Sequence, residues 1–309
     1  MIVVAGEALV DLVVRPDGRV DARRGGAAAN TARALARLGT GTVLLERLSG
    51  DTFGGWLREQ LLADGVALGV PGPSARPCTL AVATLDAAGA ASYSFYLDGT
   101  AGADVDHEAA RQAVPPGAAA VHVGALGLIM EPFGTTVERL VLGGLPEGAL
   151  VMLDPNCRPS AIAEPVPYRR RIGAIARRAD VVRASTEDLA YLYPGEPADG
   201  AARRLLRDGA ALALVTDGPR PARAFLPDAV ITAAVPEVTV VDTIGAGDAF
   251  GGAFLAWWTA HGLGRADLRH RDPVARALRA ATGAGALACA RPGADPPSLD
   301  DLRARGWWT

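Results

Sequence analysis

No lysine occurs in this chain of 309 residues, so all 31 basic side chains are arginine. That absence excludes two chemistries. A Walker-type phosphate loop needs its lysine, and Schiff-base catalysis needs one too. Any phosphate handled here has to be met by backbone N–H groups, arginine or a metal. The wealth of alanine and glycine beside the arginine fits a GC-rich coding sequence.

Cysteine is nearly as scarce. Cys78, Cys157 and Cys289 stand alone, with no C-x-x-C, and His107, His122, His261 and His270 are scattered, so no zinc site is suggested. Three lone thiols fit a cytoplasmic protein. The net charge of -3 carries no footprint of a nucleic acid or an anionic membrane. No apolar run reaches membrane-spanning length, and residues 1–6 read as a strand rather than a secretory leader. Gly6 is followed by Glu7 and Ala8, so no G-x-G-x-x-G follows that strand, which argues against a dinucleotide-dependent oxidoreductase. The length suits one large or two small domains with an ample core.

What is there is organised around residues 238–253. Val238, Val240 and Val241 predict a strand, Gly245 and Gly247 break it, and a helix runs on from Ala249 through Trp258. A glycine turn into a helix start aims unpaired N–H groups and the positive end of the helix dipole at one spot, which suits phosphate. Asp248 stands in the mouth of that spot. A carboxylate there fits a general base that takes a hydroxyl proton while the N–H groups hold the transferring phosphoryl group. It equally fits a helix cap.

Along the rest of the chain, residues 2–5 form a strand, and Asp11 soon after it is either a ligand for a polyol or a solvated turn carboxylate. A hairpin surrounds Asp17-Gly18. Gly25 and Gly26 lead through three alanines to Asn30, which is either a hydroxyl ligand or an ordinary N-cap of a helix ending at Gly39. A strand spans 42–46, and a helix follows Asp51 with Phe53, Trp56, Leu57, Gln60 and Leu61 on one face. Residues 78–86 and 91–97 read as an antiparallel pair turning around 86–89. With the hairpin near residue 17 they predict a small sheet that projects as a lid over about 12–24 and 78–100, with Phe95, Tyr96 and Asp98 near its hinge.

From residue 119 the pattern alternates. Strands fall at 119–123, 149–153, 180–183 and 211–215, with helices at 131–142, 167–178, from Ser185, and at 199–208. Two short strands follow at 222–226 and 229–234, then a helix over 273–290 and a last one near Trp307-Trp308. Arg158, in the loop Asp154-Pro-Asn156-Cys-Arg158-Pro159, is either a phosphate ligand or part of a surface loop. The alternation predicts a three-layer α/β/α, Rossmann-like body with the small β lid.

Two motifs, Gly25-Gly26-Ala-Ala-Ala-Asn30 running on through Gly39, Gly50, Asp51 and Gly54, and Asp242-Thr-Ile-Gly-Ala-Gly-Asp248, stand in the order and spacing of the ribokinase-like (PfkB) carbohydrate kinases, which the chain resembles over nearly its whole length. The resemblance implies a sugar kinase using ATP and Mg2+. Asp248 would be the base, and Gly245, Ala246 and Gly247 the anion hole, with Arg158 on the transferring phosphate. Asp11, Gly26 and Asn30 would hold sugar hydroxyls, with Gly25, Phe95 and Asn156 on the same side. Thr216 and Gly218 match the nucleotide-side turn, and Thr282 the position near adenine. Ser185 and Asp188 match the family's Asn-x-x-Glu by spacing, with Glu187 one residue away as the other candidate. Carbonyls of Asp242 and Ile244, with those near Arg291 and Gly293, match a monovalent cation (K+) site. The second glycine of the family's Thr-x-Gly-x-x-Gly is replaced at Pro221. The local motifs resemble bacterial fructokinases and 2-keto-3-deoxygluconate kinases, and the lack of a dedicated cationic partner for a keto acid makes fructose the expected substrate. A nucleoside kinase and a non-catalytic sugar-binding regulator are the other expectations, and a homodimer through the lid is a further one.

Overall fold

The computed structural model describes residues 1–86 and 91–309. The turn expected around 86–89 falls largely outside them. The elements run β1 (Ile2–Ala5), β2 (Leu9–Val14), β3 (Val20–Gly25), α1 (Ala27–Arg37), β4 (Thr42–Ser49), α2 (Thr52–Ala63), β5 (Val66–Ser74), β6 (Leu80–Leu85), β7 (Ala91–Tyr96) and α3 (His107–Ala113). They continue with β8 (Ala120–Gly124), α4 (Phe133–Gly143), β9 (Leu150–Asp154), α5 (Pro165–Arg178), β10 (Val181–Ser185), α6 (Thr186–Leu192) and α7 (Ala198–Asp208). The last are β11 (Leu212–Asp217), β12 (Arg220–Phe225), β13 (Val230–Ala233), α8 (Ala246–Ala260), α9 (Arg271–Cys289) and α10 (Leu299–Ala304).

A nine-stranded sheet in the order β13-β12-β11-β10-β9-β8-β1-β4-β5 forms the middle layer. From β11 to β5 its strands are parallel, and β12 and β13 close one edge antiparallel. Successive strand residues point to opposite faces. Ile2 and Val4 therefore pack with α1, α8 and α9 on one side, while Val3 and Ala5 pack with α3, α4, α5 and α7 on the other. This is the expected three-layer α/β/α body. Chain direction reverses between β1, which leads outward to β4 and β5, and β8, which leads the other way. Ligands of open parallel sheets sit at the carboxyl ends of the strands flanking such a reversal.

A second sheet, β3-β2-β6-β7, is built from two antiparallel hairpins joined by parallel pairing of β2 with β6. It spans the stretches expected to form the lid. Leu9 and Ala81 pack beneath it with Leu126 and Met130.

Four expectations are corrected. Residues 238–241 are not a strand: Val240 and Val241 are exposed and the segment's backbone turns to α9, with the N–H groups of Val241 and Asp242 both donating to the Cys289 carbonyl. The sheet edge it would have joined ends at β13. The last helix is α10, and Trp307 and Trp308 follow it. Gly26, not Asn30, caps α1. Trp56 lies off the buried face of α2, where Leu57 and Leu61 face the core, and it meets the Arg24 guanidinium instead. Strand β5 and helix α3 were not expected at all. Cys78, Cys157 and Cys289 are free thiols. Among the described residues no helix is long and apolar enough to cross a membrane, and no group of three or more His, Cys, Asp or Glu could hold a metal ion.

Candidate active site

A cavity of about 540 Å³ opens at the carboxyl ends of β1, β8, β9 and β10. The second sheet forms one wall, contributing Leu9, Asp11, Ala81, Tyr93 and Phe95, and the start of α8 forms the opposite wall.

Helix α8 begins in the turn that the sequence marks. Gly245 takes φ 77°, a left-handed conformation that costs an L side chain energy and glycine nothing. A Cβ there would also lie 2.9 Å from the Ala294 side chain. The N–H groups of Gly247 and Asp248 have no carbonyl one turn back to bond, and that of Ala246 meets only the Thr243 carbonyl at 3.4 Å, so the helix offers a ready anion site. No side chain caps this helix. Asp248 therefore does not cap it and points elsewhere: the Asn30 side-chain amide donates to its Oδ2 at 2.9 Å, and that of Asn156 reaches its Oδ1 at 3.5 Å. Burial raises the Asp248 pKa, opposed by the Asn30 hydrogen bond and by the charges of Arg183 and Arg158. A carboxylate so placed can take a proton and can do so with most of its surface removed from water.

Arg183 is the functional residue that sequence reasoning missed. It sits in β10, buried, with Nη1 on Asp154 Oδ2 at 2.9 Å and Nη2 on Thr216 Oγ1 at 2.8 Å. A Cβ added to Gly247 would lie 2.6 Å from its Nη2, so the guanidinium lies directly against the first turn of α8. Burial alone would depress its pKa, but Asp154, Asp188 and Asp248 outweigh that and keep it charged. Burial pushes Asp154 up to about 7 against the pull of Arg183. A fixed positive charge thus supplements the helix dipole in a water-poor setting, where it acts most strongly.

On the other side, Asp11 lies in β2 of the second sheet rather than in a turn, paired in register with Arg23. Burial raises its pKa to about 6, with Arg158 and Arg23 opposing. Gly25 ends β3 beside it, since a Cβ at Gly25 would strike the Asp11 carboxylate. Gly26 has φ 100°, and its missing Cβ leaves room for the Glu7 carbonyl. Glu7 binds this corner together: Oε1 accepts from Ala27 N and Oε2 from Gly127 N, each at 2.9 Å. Asn30 is the fourth residue of α1, not its cap, which frees its amide for Asp248. Asn156 takes a left-handed φ of 38°, a region asparagine tolerates better than most residues. Arg158 is exposed at the rim and donates to the carbonyls of Asn156 and Cys157, with its charge felt at Asp11 and Asp248. Phe95 stacks beside Tyr93 on the cavity wall.

The nucleotide-side candidates divide. Ser185 and Asp188 form a capping box on α6, and the Asp188 carboxylate also accepts from Cys157 N at 2.6 Å. Its oxygens are spent on the fold. Glu187, one residue earlier, is exposed and lines both the main cavity and an adjoining groove of about 740 Å³ with Thr186, Asp217 and Arg220. Thr216 is bound by Arg183, and Gly218 forms the β11–β12 turn at φ 53°. Thr282 is brought to neither space: it is buried in α9, where its hydroxyl donates to the Arg279 carbonyl. Asp242 accepts from Ile244 N and Gly293 N, which draws the two candidate cation-binding segments together, and Arg291 is held by Asp301.

The model of the pfkB family of carbohydrate kinases matches residues 1–301. A fructokinase from Rhizobium leguminosarum bv. trifolii is 36% identical over 261 residues, covering 83% of this chain and 79% of the relative. Among solved structures, a fructokinase with bound ATP from Xylella fastidiosa superposes with a TM-score of 0.87 at 28% identity, covering 99% of this chain and 98% of that one. A fructokinase from Vibrio cholerae O395, in a form with bound fructose, ADP and calcium ion, reaches 0.83 at 25% identity over 98% of this chain and 97% of that one.

Proposed function

The chain belongs to the pfkB family of carbohydrate kinases, and from that premise we propose that it is an ATP-dependent fructokinase. The observation that carries the reading is Asp248, held by two asparagines at the head of a helix whose free N–H groups and neighbouring Arg183 face the same point. In the proposed reaction the sugar lies under the second sheet, its hydroxyls on Asp11, Asn30, Asn156 and the Gly25-Gly26 backbone, with Phe95 against its ring. Asp248 takes the proton of the attacking hydroxyl. The N–H groups of α8 and the charges of Arg183 and Arg158 stabilise the phosphoryl group in transit. ATP occupies the groove by Thr186, Glu187 and Asp217, with Gly218 in its turn. Magnesium supplies charge neutralisation on the phosphates, and Glu187, whose carboxylate is exposed between the two spaces, fits as the residue that takes its bound waters.

Fructose is favoured over an acidic sugar by charge. The sugar half of the cavity presents the carboxyl groups of Glu7, Asp11 and Asp248, while its buried cation, Arg183, is paired with Asp154 and Arg158 at the rim is assigned to the phosphoryl group. A neutral polyol suits that lining and a keto acid does not. The proposal includes a lid role for the second sheet and a homodimer through its outer face, where Val20 and Tyr96 are exposed. It also includes a K+ ion among the carbonyls of Asp242, Ile244, Arg291 and Gly293, and a cytoplasmic setting that keeps the three thiols reduced.

The test is ADP release from ATP and magnesium, with and without potassium, over fructose, 2-keto-3-deoxygluconate, ribose and adenosine. Fructose should give the highest kcat/KM. A higher value for the keto acid would overturn the substrate while leaving a kinase. Calorimetric binding of fructose without turnover on any compound would leave a sugar-binding regulator.

A further inference from the structure

Next to Asp248, adjoining the main cavity at Asn156 and Asp248, lies a small cavity of about 10 Å³ bounded by His122, Gly124, Asp154, Asn156, Asp248 and Ala28. Two of the polar side chains that line it have unsatisfied atoms. His122 is buried in β8 and neither of its ring nitrogens has a hydrogen-bond partner, and Asp154 Oδ1 has none either. Register explains why they meet. Gly124 pairs with Asp154 and His122 with Met152 across β8 and β9, so His122 and Asp154 project from the same face of the sheet, two positions apart. Helix α8 covers that face, and a Cβ at Gly251, three residues after Asp248, would come within 3.9 Å of His122 Nε2.

Buried groups that can hydrogen-bond almost always do. A space of this size takes about one water molecule, and it offers the two to four polar partners a buried water needs. We propose that this cavity holds a single water that accepts from His122 and donates to Asp154 Oδ1 and to the Asp248 carboxylate, and that His122 is thereby a positioning residue for Asp248. The charged and titratable groups around the imidazole are Asp154 from β9, Arg183 from β10 and Asp248 from α8, with Asp188 of α6 and Glu7 beyond β1 farther out. Burial and Arg183 hold His122 down at about 4, so it is neutral at physiological pH and carries one N–H for the water. A donor pointed at Asp248 favours its ionised form, the form that accepts a proton.

The kinetic half of this inference rests on Asp248 being the base, and the water itself does not. A high-resolution crystal structure of the wild-type enzyme should show one ordered water within hydrogen-bond reach of His122 and Asp154, and a dry cavity would overturn the proposal. The ring-nitrogen chemical shifts of His122 in the wild-type protein at pH 7 should be those of a neutral imidazole with a hydrogen-bonded N–H. Non-hydrogen-bonded shifts would overturn it even if no variant folds. For the kinetic half, His122→Leu should lower kcat about tenfold, leave the fructose KM within about twofold, and move the acid limb of kcat up by about one pH unit. His122→Gln, which keeps a donor, should restore most of kcat and the limb. Unchanged kcat and limb in His122→Leu would remove His122 from any positioning role. Near-normal turnover of Asp248→Asn would instead remove the base, with the water still judged by the crystal structure.

Discussion

Asn30 and Asp248 lie 218 positions apart in the sequence, and the amide of one donates to the carboxylate of the other at 2.9 Å. The chain has only two asparagines, and the second, Asn156, reaches the other oxygen of the same carboxylate. Replacing Asn30 by Ala removes the stronger of the two donors. A hydrogen bond to a charged group contributes about 1.5–3 kcal/mol, so kcat/KM for fructose should fall roughly 10- to 100-fold. Because that bond lowers the Asp248 pKa, the acid limb should move to higher pH. A profile that keeps its position, read from initial rates between pH 5 and 9, would show that Asn30 does not tune the carboxylate.

Asp248→Asn keeps the shape of the site and removes the proposed base. Turnover should drop by about 10²- to 10⁴-fold, while fructose binding measured by calorimetry stays close to that of the wild type. In the wild type, kcat should decline as pH falls through a value above the ordinary carboxylate range, since burial raises the Asp248 pKa. An acid limb at an ordinary carboxylate value contradicts this.

Arg183→Met leaves Asp154 buried without its ion-pair and hydrogen-bond partner. Loss of one partner of a buried pair costs about 3–5 kcal/mol, so urea denaturation should show a loss of that order. Adding Asp154→Leu should recover a large part of the stability and none of the activity, because the charge beside Gly247 is still missing. Stability that stays low in the double variant would mean that Arg183 acts on the fold mainly through Thr216.

Glu7 and Glu46 are a buried carboxyl pair behind the sugar pocket. Burial raises Glu7 from its ordinary 4.5 to about 7, and burial and Glu7 together place Glu46 well above its ordinary value. A group whose folded pKa is raised stabilises fully below the unfolded value, and that contribution is lost as pH rises through the folded one. For Glu7 the window is about 4.5 to 7. Glu46→Gln keeps an acceptor for Ala8 N and removes the second acid. Its Tm should exceed that of the wild type at pH 8, by on the order of 2–5 °C, with little difference at pH 4.5. An equal or lower Tm at pH 8 would count against ionisation of this pair as the source of strain.

The sequence could reveal the head of α8 because everything that makes it is contiguous: a glycine for the left-handed turn, free N–H groups, an acid in the first turn. It could not reveal that Val238 to Val241 would remain unpaired. Strand propensity is local, and whether an edge is free depends on β13 having taken it. Strand β5 was hidden by Pro71, Pro73 and its glycines, which an edge strand tolerates because one side needs no ladder. Helix α3, at seven residues, is too short to show a period. Glu187 and Asp188 differ by one step around a helix, and only the capping box says which of them faces in. His122, Asp154 and Arg183 read as polar interruptions in apolar strands. Cross-strand register makes them a cluster, and register is not written in any one segment. One signal was available, though: in a chain with two asparagines, both were worth placing together.

The second sheet has a bearing on the order in which the chain folds. Its two hairpins are local, but they become one sheet only through the β2–β6 pairing, with β4, α2 and β5 strung between them. Closing so long a loop is entropically expensive until the intervening chain has condensed on the main sheet. A pulse-labelling hydrogen-exchange experiment should therefore find the amides of Leu12 and Val82 protected after those of Leu44 and Leu68, which pair across a much shorter stretch of chain. The second sheet would then be completed only once β4 and β5 have paired. A ligand resting on Leu9, Asp11, Ala81, Tyr93 and Phe95 would thus brace a part of the molecule that forms after the strands it leans on.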